Sequence, residues 1–268
     1  AIAYPGTNAM QLAHPGPLTR TVRDGALLIQ AVAGPDPRDR LSYDLGFDWL
    51  AACDGGIEGL RVAWSADLGY AAVDPEVRDI CTRAAQRLSD LGCHVEEVDP
   101  GLPDPWDIID TIWGPSQAAA HLDDFAQVRD LLDPGRVPII ERGLRMSAAD
   151  LMRALNQRDE YHVKMQQFMA NYDLLVTPQM PSTAFPVELD YPPVIDGKEM
   201  SYLSWTAFTY PFNLTGQPAA TVPVGFASDG LPVCLQFVGR WHGDATVLRA
   251  AAAYEEMAPW AQHRPPVD

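Results

Sequence analysis

The chain has 268 residues, nearly half of them apolar, and a formal net charge of -17. Its length suits one large α/β domain or two small ones. The charge argues against a nucleic-acid phosphate backbone or an anionic membrane surface as partner, because both require clustered Lys and Arg. Cys53, Cys81, Cys93 and Cys234 show no C-x-x-C spacing and are too few to form a disulfide framework, so they read as reduced core residues of a cytoplasmic protein. The longest apolar run falls far short of the roughly 20 residues that span a bilayer, and the first residues carry no signal core.

In chain order, Thr21-Val22-Arg23-Asp24 has the form of a capping box and opens a helix over 22–33, closed by Gly34-Pro35. Residues 36–57, rich in Asp, Gly and Pro, read as a surface excursion. Leu60 to Trp64 alternates as a strand. Asp74-Pro75-Glu76 then supplies an N-cap, an N1 proline and a first-turn acid for a helix with its apolar stripe at Val77, Ile80, Cys81, Ala84, Leu88 and Leu91. Gly92 sits where a C-terminal glycine belongs, and Cys93 to Val98 is the next strand. A strand, a capped helix and a strand in about forty residues form a βαβ unit with parallel strands.

Residues 105–130 read as helical, with Trp113, Ala118, Leu122 and Phe125 available for packing. A second capping box at Ser147 and Asp150 opens a long helix to about Ala170, and Tyr172 to Thr177 is a buried strand ended by Pro178 and Pro181. Ala219 to Phe226 and Val233 to Val238 form an antiparallel hairpin turned at Asp229-Gly230. Asp244 caps a last helix to about Met257. The fold expected is α/β, a mixed and mainly parallel sheet covered by helices on both faces, without a linker that would divide the chain.

Sites of chemistry are sparse. There is no G-x-S-x-G elbow, H-E-x-x-H helix, Walker loop or G-x-G-x-x-G, and the nine serines fall mostly in turns, caps or polar loops. His121, Asp123 and Asp124 are the only metal-like grouping, and their spacing suits a solvated helix face better than a metal. His14, ahead of Pro15-Gly16-Pro17, reads as a structural hydrogen-bonding residue. The two lysines lack the apolar setting that would make either a neutral base: Lys164 is on an exposed helix side and Lys198 in a polar loop.

Several spaced blocks nevertheless form a recognisable series: Gly16 to Asp24, Gly34 to Asp39, Tyr172 to Pro178 with Pro181, Pro211 to Pro218, and Gly230 to Gly239 with Asp244 to Ala251. In order and spacing, from Gly16 to Trp260, the chain resembles the C-terminal part of the amidase signature family. That resemblance implies the amidase signature fold, incomplete at its N-terminal side. It also implies hydrolysis of a carboxylic amide C–N bond to acid and amine or ammonia by a Ser nucleophile, a bridging cis-Ser and a Lys base. The family's triad precedes the Gly16 block. Only fifteen residues stand ahead of Gly16 here, with neither Ser nor Lys among them, so no catalytic residue is carried over.

The expectation is therefore that residues 1–268 are the C-terminal portion of a single amidase domain, with the catalytic portion upstream of this chain. Its partners would be a small-molecule amide and the missing N-terminal portion of the same protein, with a homodimer as a further assembly. No metal or organic cofactor is implied. The chain alone should be unstable and inactive. A non-catalytic remnant of the same fold is the alternative, as is the glutaminase subunit of a tRNA-dependent amidotransferase. Such subunits carry an acidic residue at the position matched here by Thr206. By the same resemblance, Thr177, Gln179 and Met180 at a strand end, together with Trp205, Phe208, Tyr210 and Asn213 in a loop-like run, line the acyl pocket, and Trp113 packs near its mouth.

Overall fold

The computed structural model describes residues 12–39 and 42–264. Helix α1 (Val22–Val32) starts at Thr21, whose hydroxyl accepts the Asp24 N–H, satisfying one of the free donors of the first turn. A short 3-10 turn, Ala51–Cys53, interrupts the excursion that follows. Strand β1 (Arg61–Trp64) leads to α2 (Pro75–Gln86), capped by the Asp74 carboxylate, and to β2 (His94–Glu97). Between α2 and β2 the chain turns at Gly92, with φ at 79°. A Cβ there would lie 2.7 Å from Glu58 Cγ, so both the backbone and the space require glycine.

The expected helix over 105–130 divides in two. Helix α3 (Trp106–Ala120) ends, and α4 (Phe125–Val128) is a separate turn. Leu122 lies in the break and is 69% exposed, so it does not pack as its apolar character suggested. A helix that the sequence did not reveal, α5 (Val137–Gly143), crosses α3. The long α6 (Ala148–Met169) opens with the full capping box, Ser147 and Asp150 each bonding the other's backbone. We expect Ser147→Ala to cost about 1 kcal/mol, read as a lower urea midpoint with unchanged slope.

Strand β3 (Leu174–Pro178) is buried along its whole length. A small hairpin follows, β4 (Val194–Ile195) and β5 (Lys198–Glu199), turned by Asp196 and Gly197, both with positive φ, so Lys198 belongs to a hairpin rather than a loop. The run around Trp205 is not loop-like: it forms a 3-10 turn, Ser204–Thr206, and then α7 (Tyr210–Thr215). Proline at 211 is tolerated there because the first turn has no partner for its missing N–H. The chain ends with β6 (Ala219–Phe226), β7 (Pro232–Gly239) and α8 (Asp244–Met257). Asp244 is not the cap of α8. Gly243 takes that position without a side-chain bond, and Asp244 sits in the first turn.

The main sheet runs β2-β1-β3-β7-β6. β1 is parallel to both β2 and β3, while β7 is antiparallel to β3 and to β6. Adjacent strand residues point to opposite faces. Phe237 packs on Tyr254 of α8, and its neighbour Gln236 donates to the Phe208 carbonyl, so α8 lies on one face and the 204–215 segment on the other. α7 packs on α6 and α3, which completes that second layer. The principal core, including Trp64, Leu174, Leu175, Leu235 and Phe237, lies between sheet and helices.

Candidate functional site

Because β1, β2 and β3 are parallel, their carboxyl ends open on the same side of the sheet, where open α/β sheets gather ligands. The three strand exits are bound together. The Asp74 N–H donates to the Pro181 carbonyl at 2.8 Å, and the Ser65 hydroxyl donates to Asp99 at 2.6 Å. A small cavity of about 30 Å³ sits among these exits, with Ala72 following β1, Asp104 following β2 and Pro181 following β3. Trp205, Lys198 and Ser204 close it from the second layer.

Asp104 separates this cavity from a larger cleft. Its carboxylate accepts the Tyr210 hydroxyl at 2.7 Å and the Trp106 N–H at 3.0 Å, anchoring the start of α3 to α7. Burial, and after it the Asp104 carboxylate, pushes the Tyr210 hydroxyl well above the usual tyrosine range, so the phenol stays protonated as a donor. Tyr161 is buried nearby, and the Tyr70 hydroxyl donates to the Ala207 carbonyl at 3.4 Å.

The cleft, about 230 Å³, has two facing helical walls. Trp106, Ile109, Asp110 and Trp113 come from one side of α3, at spacings that place them on one stripe. Leu203, Thr206, Thr209, Tyr210 and Asn213 repeat the same period opposite. Trp106 meets Tyr210 edge to face, with ring centroids 5.8 Å apart. Asp110 is the charged group of the lining, and Arg142 pairs with it. Burial raises the Asp110 carboxyl above its ordinary value, with Arg142 pulling the other way. Thr206 donates its hydroxyl to the Leu203 carbonyl at 2.7 Å and brings no charge.

Leu12 and Ala13 make the third wall. The Asn213 amide holds them in place, donating to the Leu12 carbonyl at 2.7 Å, while His14 Nδ1 lies 3.0 Å from that same oxygen. One hydrogen of the Asn213 amide group is thereby committed to the chain itself.

The eight residues expected at a pocket are thus distributed as follows. Trp113, Tyr210 and Asn213 line the cleft and Trp205 the small cavity. Thr177 and Phe208 are fully buried, both bonded by Gln236, through the Thr177 hydroxyl at 3.3 Å and the Phe208 carbonyl at 2.8 Å. Gln179 and Met180 stand half-buried at the β3 exit and line neither cavity. The Gln179 side chain instead accepts the Thr221 hydroxyl at 2.5 Å. Sequence reasoning missed Trp106, Ile109 and Asp110, although counting back three, four and seven residues from Trp113 reaches each of them. His121 bonds Asp124 at 3.2 Å, and among the described residues no three His, Cys, Asp or Glu side chains gather as a metal site. No helix among them is long and apolar enough to cross a membrane.

Comparison with known proteins gives a consistent result. The amidase family model matches residues 5–248. An acylamidase of Rhodococcus erythropolis is 38% identical over 94% of this chain and 54% of its own length. A glutamyl-tRNA(Gln) amidotransferase subunit of Rhodospirillum rubrum is 33% identical over 95% of the chain and 55% of its own length. Among solved structures, a bacterial aryl acylamidase of the amidase signature family superimposes with a TM-score of 0.85 at 28% identity, covering 94% of this chain and 55% of the other. The chain therefore spans about half the length of the curated relatives it matches.

Proposed function

Since the chain belongs to the amidase family, we propose that it is the C-terminal portion of a single amide-hydrolysing domain whose Ser/cis-Ser/Lys triad lies in the portion upstream. In this reading the cleft receives the apolar or aryl side of a neutral amide, which is split to acid and amine or ammonia. The observation that carries it is the paired apolar stripe, Trp106, Ile109 and Trp113 against Leu203 and Tyr210, beside the carboxyl ends of the parallel strands. Thr177 and Phe208 support the site from the core, while Gln179 and Met180, at the β3 exit, stay outside the cleft lining and would reach the substrate only at its far side. The similarity to acylamidases agrees with such a substrate.

A glutaminase role has the similarity to amidotransferase subunits in its favour. Against it, Thr206 offers only a hydroxyl where a glutamine ammonium would need an anion, and Asp110 is already paired with Arg142. Four free cysteines support a reducing, cytoplasmic location; burial pushes the Cys81 thiol up to about 12 and those of Cys93 and Cys234 to about 11, so all three stay protonated and inert.

The test is a substrate panel on the protein made from the complete reading frame. Aryl amides should be hydrolysed faster than glutamine, and Trp113→Ala should raise KM for an aryl amide about tenfold or more, as expected when an apolar wall is lost. Faster turnover of glutamine would favour the amidotransferase role. Absence of turnover on every amide would favour the non-catalytic remnant.

A further inference from the structure

Helix α1 turns its apolar stripe away from the chain. Its buried residues are the small ones, Gly25 and Ala26, and Ala26 packs with Cys53 and with Leu248 of α8. Leu27, Leu28 and Val32 stand 52%, 49% and 60% exposed. With Ala31 they form one strip at three- and four-residue spacing. A helix normally buries such a strip, and among the described residues no element covers this one.

A second feature lies beside the same helix α8, which packs on both α1 and β6. The main sheet has two edges of opposite character. β2 is four residues long and carries His94, Glu96 and Glu97, the charged and short form that discourages further pairing. β6 is eight residues long without a charged side chain. Pro223 and the bulge between Pro223 and Gly225 interrupt its later half, which leaves Ala219 to Val222 as the regular edge, without a second strand partner among the described residues.

We propose that the α1 strip and the Ala219–Val222 edge are the surface on which the upstream portion of the same amidase domain docks. The inference rests on the reading of this chain as the C-terminal portion of such a domain. A second copy is the poorer occupant, because each copy would bring a net charge of -17 to the contact. The upstream portion has the required extent, since the relatives are nearly twice as long as the part matched here.

The test compares the isolated chain with the protein from the complete reading frame by hydroxyl-radical footprinting of side chains. Leu27 and Leu28 should be labelled freely in the isolated chain and several-fold less in the complete protein. The double variant Leu27→Asp, Leu28→Asp should lower the urea midpoint of the complete protein, and an unchanged midpoint would overturn the docking surface. Equal labelling in a complete protein that hydrolyses amides would overturn the docking surface alone. Labelling of the isolated chain that falls with concentration, alongside a doubled molar mass, would assign the strip to a second copy and overturn the proposal. A reading frame that encodes only these residues would remove both this surface and the parent reading.

Discussion

A fluorophosphonate should leave the mass of the isolated 268-residue chain unchanged, while the protein from the complete reading frame gains one stoichiometric adduct and hydrolyses amides. Covalent capture needs a serine whose proton is removed by a neighbouring base and a positioned set of donors for the oxyanion. The serine hydroxyls bonded here serve turns and caps. Ser65 is held by Asp99, Ser147 by Asp150 and Ser228 by Glu76, and among the described residues none is bonded to a lysine or histidine. Neither lysine serves as such a base among the described residues: Lys164 stands on α6, and Lys198, on the β4–β5 hairpin, lines the small cavity with Ser204 but bonds no serine. Losing one oxyanion donor alone costs about a hundredfold or more in rate, so a chain without an activated nucleophile should give no measurable turnover. Intact-mass measurement after incubation with the probe decides the matter: a stoichiometric shift mapped to any serine of this chain would place the nucleophile here.

Replacing Gly143 with valine should be the most damaging single substitution for the cleft. α3 and α5 cross where Gly114 meets Gly143, and a Cβ on Gly143 would collide with the Gly114 carbonyl and lie 2.9 Å from the Pro115 nitrogen. Backbone cannot yield as a flexible side chain does, so the two helices must separate. Overpacking of this kind costs about 3 kcal/mol, which for a domain of this size lowers Tm by roughly 6 to 12 °C. Trp113 precedes Gly114 on α3, so the same displacement should open the cleft wall and raise KM for an aryl amide in the complete protein. Gly16→Ala, where nothing lies within 4 Å of the added carbon, is the control expected to leave Tm unchanged. An unaltered Tm for Gly143→Val would show that α5 does not hold α3 in place.

The βαβ unit, the β6–β7 hairpin and the caps at Thr21, Asp74 and Ser147 were legible in the sequence, because each depends on interactions within a few residues or on one continuous periodic stripe. The family was legible too, since its blocks are spread over nearly the whole chain. The cleft was not. Its walls come from residues 106–113 and 203–213, and its third side is held by a bond between Asn213 and Leu12 across a separation of 201 residues. Such long-range contacts have no period or spacing in the chain, so they exist only once the chain has folded. The buried places of Thr177 and Phe208 were set in the same way, since their partner is Gln236 on another strand. The outward turn of Leu27 and Leu28 on α1 reversed what amphipathic patterning suggests, because a helix buries whichever face its neighbours meet, and Leu248 of α8 meets the small residue Ala26.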